Sequence, residues 1–135
     1  PALQKVSFDP IRDFAPITEI AALPMMLVVH PSLPVNNLKE FIAFVKSNPK
    51  GLDYASSGPG TSTHLAGEMF KSMAALDATI VPYKSSAEMI SGLRSKDIQV
   101  AVEIVPPILG QITGKSVRAL AVAAARRFPG DRIGR

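Results

Sequence analysis

The 135-residue chain contains no cysteine and no tryptophan. Without thiols there is no disulfide, no thiolate nucleophile and no cysteine-held zinc, and the redox compartment stays open. The two histidines, His30 and His64, lie far apart in sequence with no carboxylate pair at ligand spacing, so a metal site has no support. Aromatic residues make up only 6% of the chain and do not interleave with basic ones, which argues against a nucleic-acid surface. No apolar run is long enough to span a membrane. The opening PALQKVSFDPIRDF has no apolar core of a secretory signal, which a mature or excised piece would lack as well.

What is present is a globular composition, 47% hydrophobic and 19% charged, at a length that suits one domain with a real core. The net charge is +4, and the only dense basic group is Arg126, Arg127, Arg132 and Arg135. A mildly basic surface agrees with a small anionic ligand without requiring one.

Pro10 and Pro16 punctuate an irregular start. Ile17–Ala22 and Met25–His30 are nearly continuous apolar runs, the pattern of strands covered on both faces. Asn37-Leu-Lys-Glu40 is a variant capping box that starts a helix with Leu38, Phe41, Ile42 and Val45 on one face. Asn48-Pro49-Lys50-Gly51 ends it. Ala78–Pro82 reads as a short buried strand, and Ser85 or Ser86 caps a helix that buries Ala87, Met89, Ile90 and Leu93. Ile98–Glu103 is the next strand, Pro106–Ile112 a short proline-started helix, and Val117–Ala124 a last strand. Strands alternating with helices indicate one α/β domain over residues 1–135, with a mainly parallel sheet and a loose tail at 126–135.

The chain is organised around Leu52–Met73, LDYASSGPGTSTHLAGEMFKSM. A short strand (Leu52, Tyr54, Ala55) breaks at Ser56-Ser57-Gly58-Pro59-Gly60. The chain restarts as a helix whose Leu65, Met69, Phe70 and Met73 form its apolar face. Strand, glycine loop and helix start point free N–H groups at an anion. Gly58 and Gly60 permit a sharp turn, while Thr61, Ser62 and Thr63 cap the helix or offer hydroxyls. No lysine of the phosphate-loop kind follows, so a carboxylate fits better than a nucleotide phosphate. The bland alternative is an ordinary strand-to-helix turn with a good cap.

Ligands of open α/β sheets sit beyond the carboxyl ends of the strands. Ser56–Thr63, Tyr83–Ser86 and Glu103–Pro107 meet that condition. Tyr83 and Lys84 offer a phenol and a cation, although an exposed Tyr-Lys pair is commonplace. Glu103, at the end of a buried strand, is either solvated at the rim or working. Ser57, His64 and Glu103 nominally supply an esterase-like set, but no GxSxG elbow accompanies them. The bland reading of His64 is local packing that holds the loop.

FDPIRDFAPIT (Phe8–Thr18), LVVHPSLPVNNLKEFIAFVKSNP (Leu27–Pro49), LDYASSGPGTSTHLAGEMFKSMA (Leu52–Ala74), VPYKSSAEMISGL (Val81–Leu93) and GKSVRALAVAAARR (Gly114–Arg127) carry a resemblance. In order and spacing they resemble the Bug/TctC family, the periplasmic solute receptors of tripartite tricarboxylate transport systems. The resemblance covers nearly the whole chain, and its most specific part is the SSGxGTxxHLAGE segment.

The resemblance implies a periplasmic-binding-protein-like lobe with helices on both faces of its sheet, the second lobe (domain 2) of a two-lobed, non-enzymatic receptor for small carboxylates such as di- or tricarboxylates or acidic amino acids. It implies periplasmic localisation, a membrane permease as partner and no cofactor. Carried over, the ligand residues are Ser56, Ser57, Gly58, Gly60, Thr61, Ser62, His64, Tyr83, Lys84 and Glu103. The chain departs from the family in four ways. The first-lobe FPPGG-type loop is absent, RFPGDRIGR does not read like the family's closing C-terminal segment, Ser85 stands where YKG is usual, and Glu103-Ile104 replaces an Asp-Asn pair. One lobe supplies half a cleft and leaves cleft and edge surfaces for homo-oligomer contacts. The alternatives are a small Ser/His esterase-like enzyme and a lobe acting only in interactions.

Overall fold

The computed structural model describes residues 5–48 and 52–124. Its first strand is β1 (Met25–Val29), an apolar run with side chains alternating into two cores. Met26 and Val28 face one way, Leu27 and Val29 the other. After β1 come α1 (Leu38–Ser47), β2 (Asp53–Ser56) and α2 (Ser62–Ala74). The chain continues with β3 (Thr79–Pro82), α3 (Ser86–Ser95), β4 (Val100–Ile104), α4 (Val105–Thr113) and β5 (Arg118–Ala123).

The five strands form one sheet in the order β3-β2-β4-β1-β5. β2 pairs in parallel with β3 and β4, whereas β1 runs antiparallel to both β4 and β5. Four strands therefore share one direction and β1 is the exception, so the α/β sheet is mixed. Helices cover both faces, as expected. α1 and α2 close one core around Phe41, Val45 and Tyr54, with Phe41 stacked on Phe70 at 6.3 Å. α3 and α4 close the other through Met89, Leu93 and Ile108.

The helix starts follow the sequence. Asn37 caps α1 by accepting the Glu40 amide at 2.9 Å, and Glu40 accepts the Asn36 amide at 2.7 Å in return. That bond holds the Glu40 carboxyl below its usual range, with burial opposing it and the Asn37 and Asn36 side chains assisting. Ser85, not Ser86, caps α3 through the Glu88 amide.

Four expectations fail. Ile17–Ala22 is not a strand: Ile17 and Ile20 are each 96% exposed, and among the described residues nothing pairs with a segment bounded by Pro16 and Pro24. Leu65, Met69 and Met73 of α2 also point outward. The helix turns Ala66, Gly67 and Phe70 inward instead, because Tyr54 beneath it requires the small residue at Gly67. β3 is the sheet's edge, so it is half-exposed rather than buried. Ala87 is exposed, leaving Met89 and Leu93 to bury α3. The tail at 126–135 and the Pro49-Lys50-Gly51 stop lie outside the described residues.

Candidate solute site

β2, β3 and β4 end at the same side of the sheet, and each delivers the chain into the start of a helix there. Helix starts carry unpaired N–H groups and partial positive charge, so this side is suited to an anion.

The β2 turn is the most elaborate of the three. Gly58 (φ 98°) and Gly60 (φ 86°) take left-handed backbone conformations that side-chain-bearing residues disfavour. Thr61 is the N-cap of α2, accepting the His64 amide at 3.3 Å while its hydroxyl donates to the Gly58 carbonyl at 2.8 Å. Thr63 Oγ1 lies 3.2 Å from Thr61 Oγ1 and accepts the Ser57 amide at 3.4 Å. Ser56 is fully buried, and its Oγ accepts the Gly58 amide at 3.4 Å. Ser57 is half-buried; Ser62 and Gly60 are exposed.

The β3 turn docks onto this one, since the Tyr83 amide donates to the Ser56 carbonyl at 2.8 Å. The Tyr83 ring packs on Gly92 of α3, with Cζ 3.0 Å from where a Cβ would stand. Lys84 is exposed, and its amide donates to Glu88 at 3.3 Å, completing the α3 capping box.

Glu103 is only 2% exposed, which rules out solvation at the rim. Its Oε1 accepts the amide of Ile104 at 2.7 Å, and its Oε2 is buried with no partner. A buried carboxyl oxygen in that state is costly unless a donor reaches it. The His64 ring is half-buried and its Nδ1 likewise lacks a partner. With both atoms unbonded, no Ser57–His64–Glu103 hydrogen-bond chain is formed. Sequence patterning makes Tyr54 a strand residue and nothing more. Its buried hydroxyl donates to the Thr63 carbonyl at 2.7 Å, beneath the loop. Burial, then the nearby carboxyls of Glu68 and Glu103, pushes its pKa well above the ordinary tyrosine value.

The model of the tripartite tricarboxylate transporter family receptor matches residues 1–130. The chain belongs to this family. Among curated relatives, a UPF0065 protein of Bordetella pertussis is 36% identical over 112 residues, covering 83% of this chain and 35% of that protein. Among solved structures of the receptor fold, R. palustris Rpa4515 with adipate is 34% identical at a TM-score of 0.84, covering 95% of this chain and 43% of that one. The periplasmic binding protein BugD is 30% identical at a TM-score of 0.76, covering 79% and 36%. The chain thus spans 35% to 43% of the length of these receptors. No described helix is long and apolar enough to cross a membrane.

Proposed function

We propose that this chain is one lobe of a non-enzymatic periplasmic receptor that recognises a small carboxylate and presents it to a membrane permease. The observation that carries the reading is the Ser56–Thr63 turn, where two left-handed glycines, a threonine cap and the start of α2 open beside the Tyr83-Lys84 turn. Hydroxyls and free N–H groups there suit a carboxylate, and a 34% identical relative of known structure holds adipate. Ser56, Ser57, Gly58, Gly60, Thr61, Ser62, His64, Tyr83, Lys84 and Glu103 are its proposed ligand surface. Closure over a ligand is what buries it, so a single lobe binds weakly.

The test is a thermal-shift screen of the chain with adipate and other mono-, di- and tricarboxylates at millimolar concentration. Stabilisation by one class, lost in Ser57→Ala, supports the reading. If a two-lobed protein containing this chain is stabilised by none of them, the reading is wrong.

A further inference from the structure

Three polar residues are almost fully buried at the site end of the sheet, and one of them, Thr63, meets the tyrosine that sequence patterning assigns simply to a strand. Tyr54 stands two residues before Ser56 on β2, so both point to the same face, toward α2. Its ring is 3% exposed, and a phenol buried that far needs a hydrogen-bond partner. It finds one in the Thr63 carbonyl at 2.7 Å, in the first turn of α2. One helical turn later Gly67 faces the same ring, and a Cβ there would overlap the phenol. The helix is thus held by the hydroxyl and seated on the ring through the missing side chain.

Thr63 passes this constraint to the loop. Its Oγ1 touches the Ser57 amide at 3.4 Å and Thr61 Oγ1 at 3.2 Å, the groups that define the proposed carboxylate surface. Tyr83, seated on Gly92 of α3, shows the same tyrosine-on-glycine device under the second loop.

We infer that Tyr54 is a positioning residue of the anion loop: by holding the Thr63 carbonyl it fixes the first turn of α2, and with it the Ser57–Thr61–Thr63 cluster, without touching the solute. The consequence for affinity rests on the carboxylate reading above; the consequence for the helix turn does not.

The experiment compares wild type with Tyr54→Phe, which keeps the ring in its seat and removes only the hydroxyl. Two readouts are taken, adipate affinity by calorimetry and amide hydrogen exchange by NMR. We expect adipate affinity to fall about three- to tenfold, as for loss of one buried hydrogen bond. The amides of His64 and Leu65 should exchange faster, while those of Phe41 and Val45 in α1 stay unchanged. Unchanged exchange at His64 and Leu65 overturns the inference, as does an equal rise in both helices, which marks general destabilisation. Selective loosening of α2 with adipate affinity intact overturns it too. If a two-lobed protein containing the wild-type chain binds no carboxylate while α2 loosens selectively, the positioning of the turn stands and the carboxylate reading falls.

Discussion

The amide of Tyr83 donates to the carbonyl of Ser56 at 2.8 Å, one rung beyond the point where Ser56 and Pro82 close the β2–β3 ladder. Two turns separated by a whole helix in sequence are thereby joined at their bases. Pro82 supplies no amide, and the ladder needs none there, because the β3 amides that face β2 are those of alternate residues such as Thr79 and Tyr83, which donate to Leu52 and Ser56. The candidate site is consequently a joined pair of turns on the ends of β2 and β3, not a solitary glycine loop.

Thr61 both caps α2 and closes the glycine turn. Thr61→Ala removes both bonds, and we expect a loss of about 0.5–2 kcal/mol in urea-unfolding free energy together with weaker carboxylate binding. Thr61→Ser, which retains the hydroxyl, should restore most of both.

Glu103→Gln keeps an oxygen to accept the Ile104 amide and removes a carboxyl whose second oxygen has no partner. We expect no loss of stability on urea unfolding. If Glu103 meets the solute, the substitution will weaken binding of solutes carrying an amino or hydroxyl donor more than binding of plain dicarboxylates. Calorimetry with one ligand of each kind measures the difference.

Arg118 reaches from β5 to the loop before α1, donating to the carbonyls of Val35 at 2.7 Å and Leu33 at 3.3 Å. Arg118→Met keeps the apolar stem but strands those acceptors. The expected cost is about 1–3 kcal/mol, typical of a charge-assisted bond removed from a buried acceptor, measured by urea unfolding.

Tyr54 holds its proton more tightly when folded than when unfolded, because burial and then the carboxyls of Glu68 and Glu103 disfavour the phenolate. Above the ordinary tyrosine pKa of about 10 the unfolded chain releases this proton first, so stability present at lower pH is lost as pH rises. Unfolding curves from pH 8 to 11 should show a steeper decline in wild type than in Tyr54→Phe, with lysine titration common to both.

Ile17 and Ile20 on the extended segment, and Leu65, Met69 and Met73 on α2, leave two apolar surfaces in water. The isolated chain is expected to self-associate through them. Light scattering should report a mass that rises with concentration, and Ile17→Ser with Ile20→Ser should lower it while leaving the melting temperature unchanged. A constant monomer mass at high concentration would falsify this.

Much of the fold is legible in the sequence because its signals are local. Asn37, Thr61 and Ser85 cap helices through bonds within three residues of themselves, and Phe41 and Val45 face inward at helical spacing. The glycine turn, too, announces itself in a few adjacent residues. Its neighbours do not: the Tyr83–Ser56 bond spans a helix, and the buried setting of Glu103 depends on strands and a helix brought together from across the chain.

Backbone preferences and nearby side chains are enough to set the strand–turn–helix units, the caps and the chemistry offered by the Ser56–Thr63 turn. They do not say that β1 enters the sheet antiparallel between β4 and β5, which is a matter of long-range pairing. Ile17–Ala22 has no partner among the described residues, and an apolar run becomes a strand only where another strand meets its hydrogen bonds. Packing also rotates α2 so that Gly67, not Leu65 or Met69, faces the sheet. Periodicity names an apolar stripe on a helix, but the shape beneath it, here the ring of Tyr54, chooses which residues are buried.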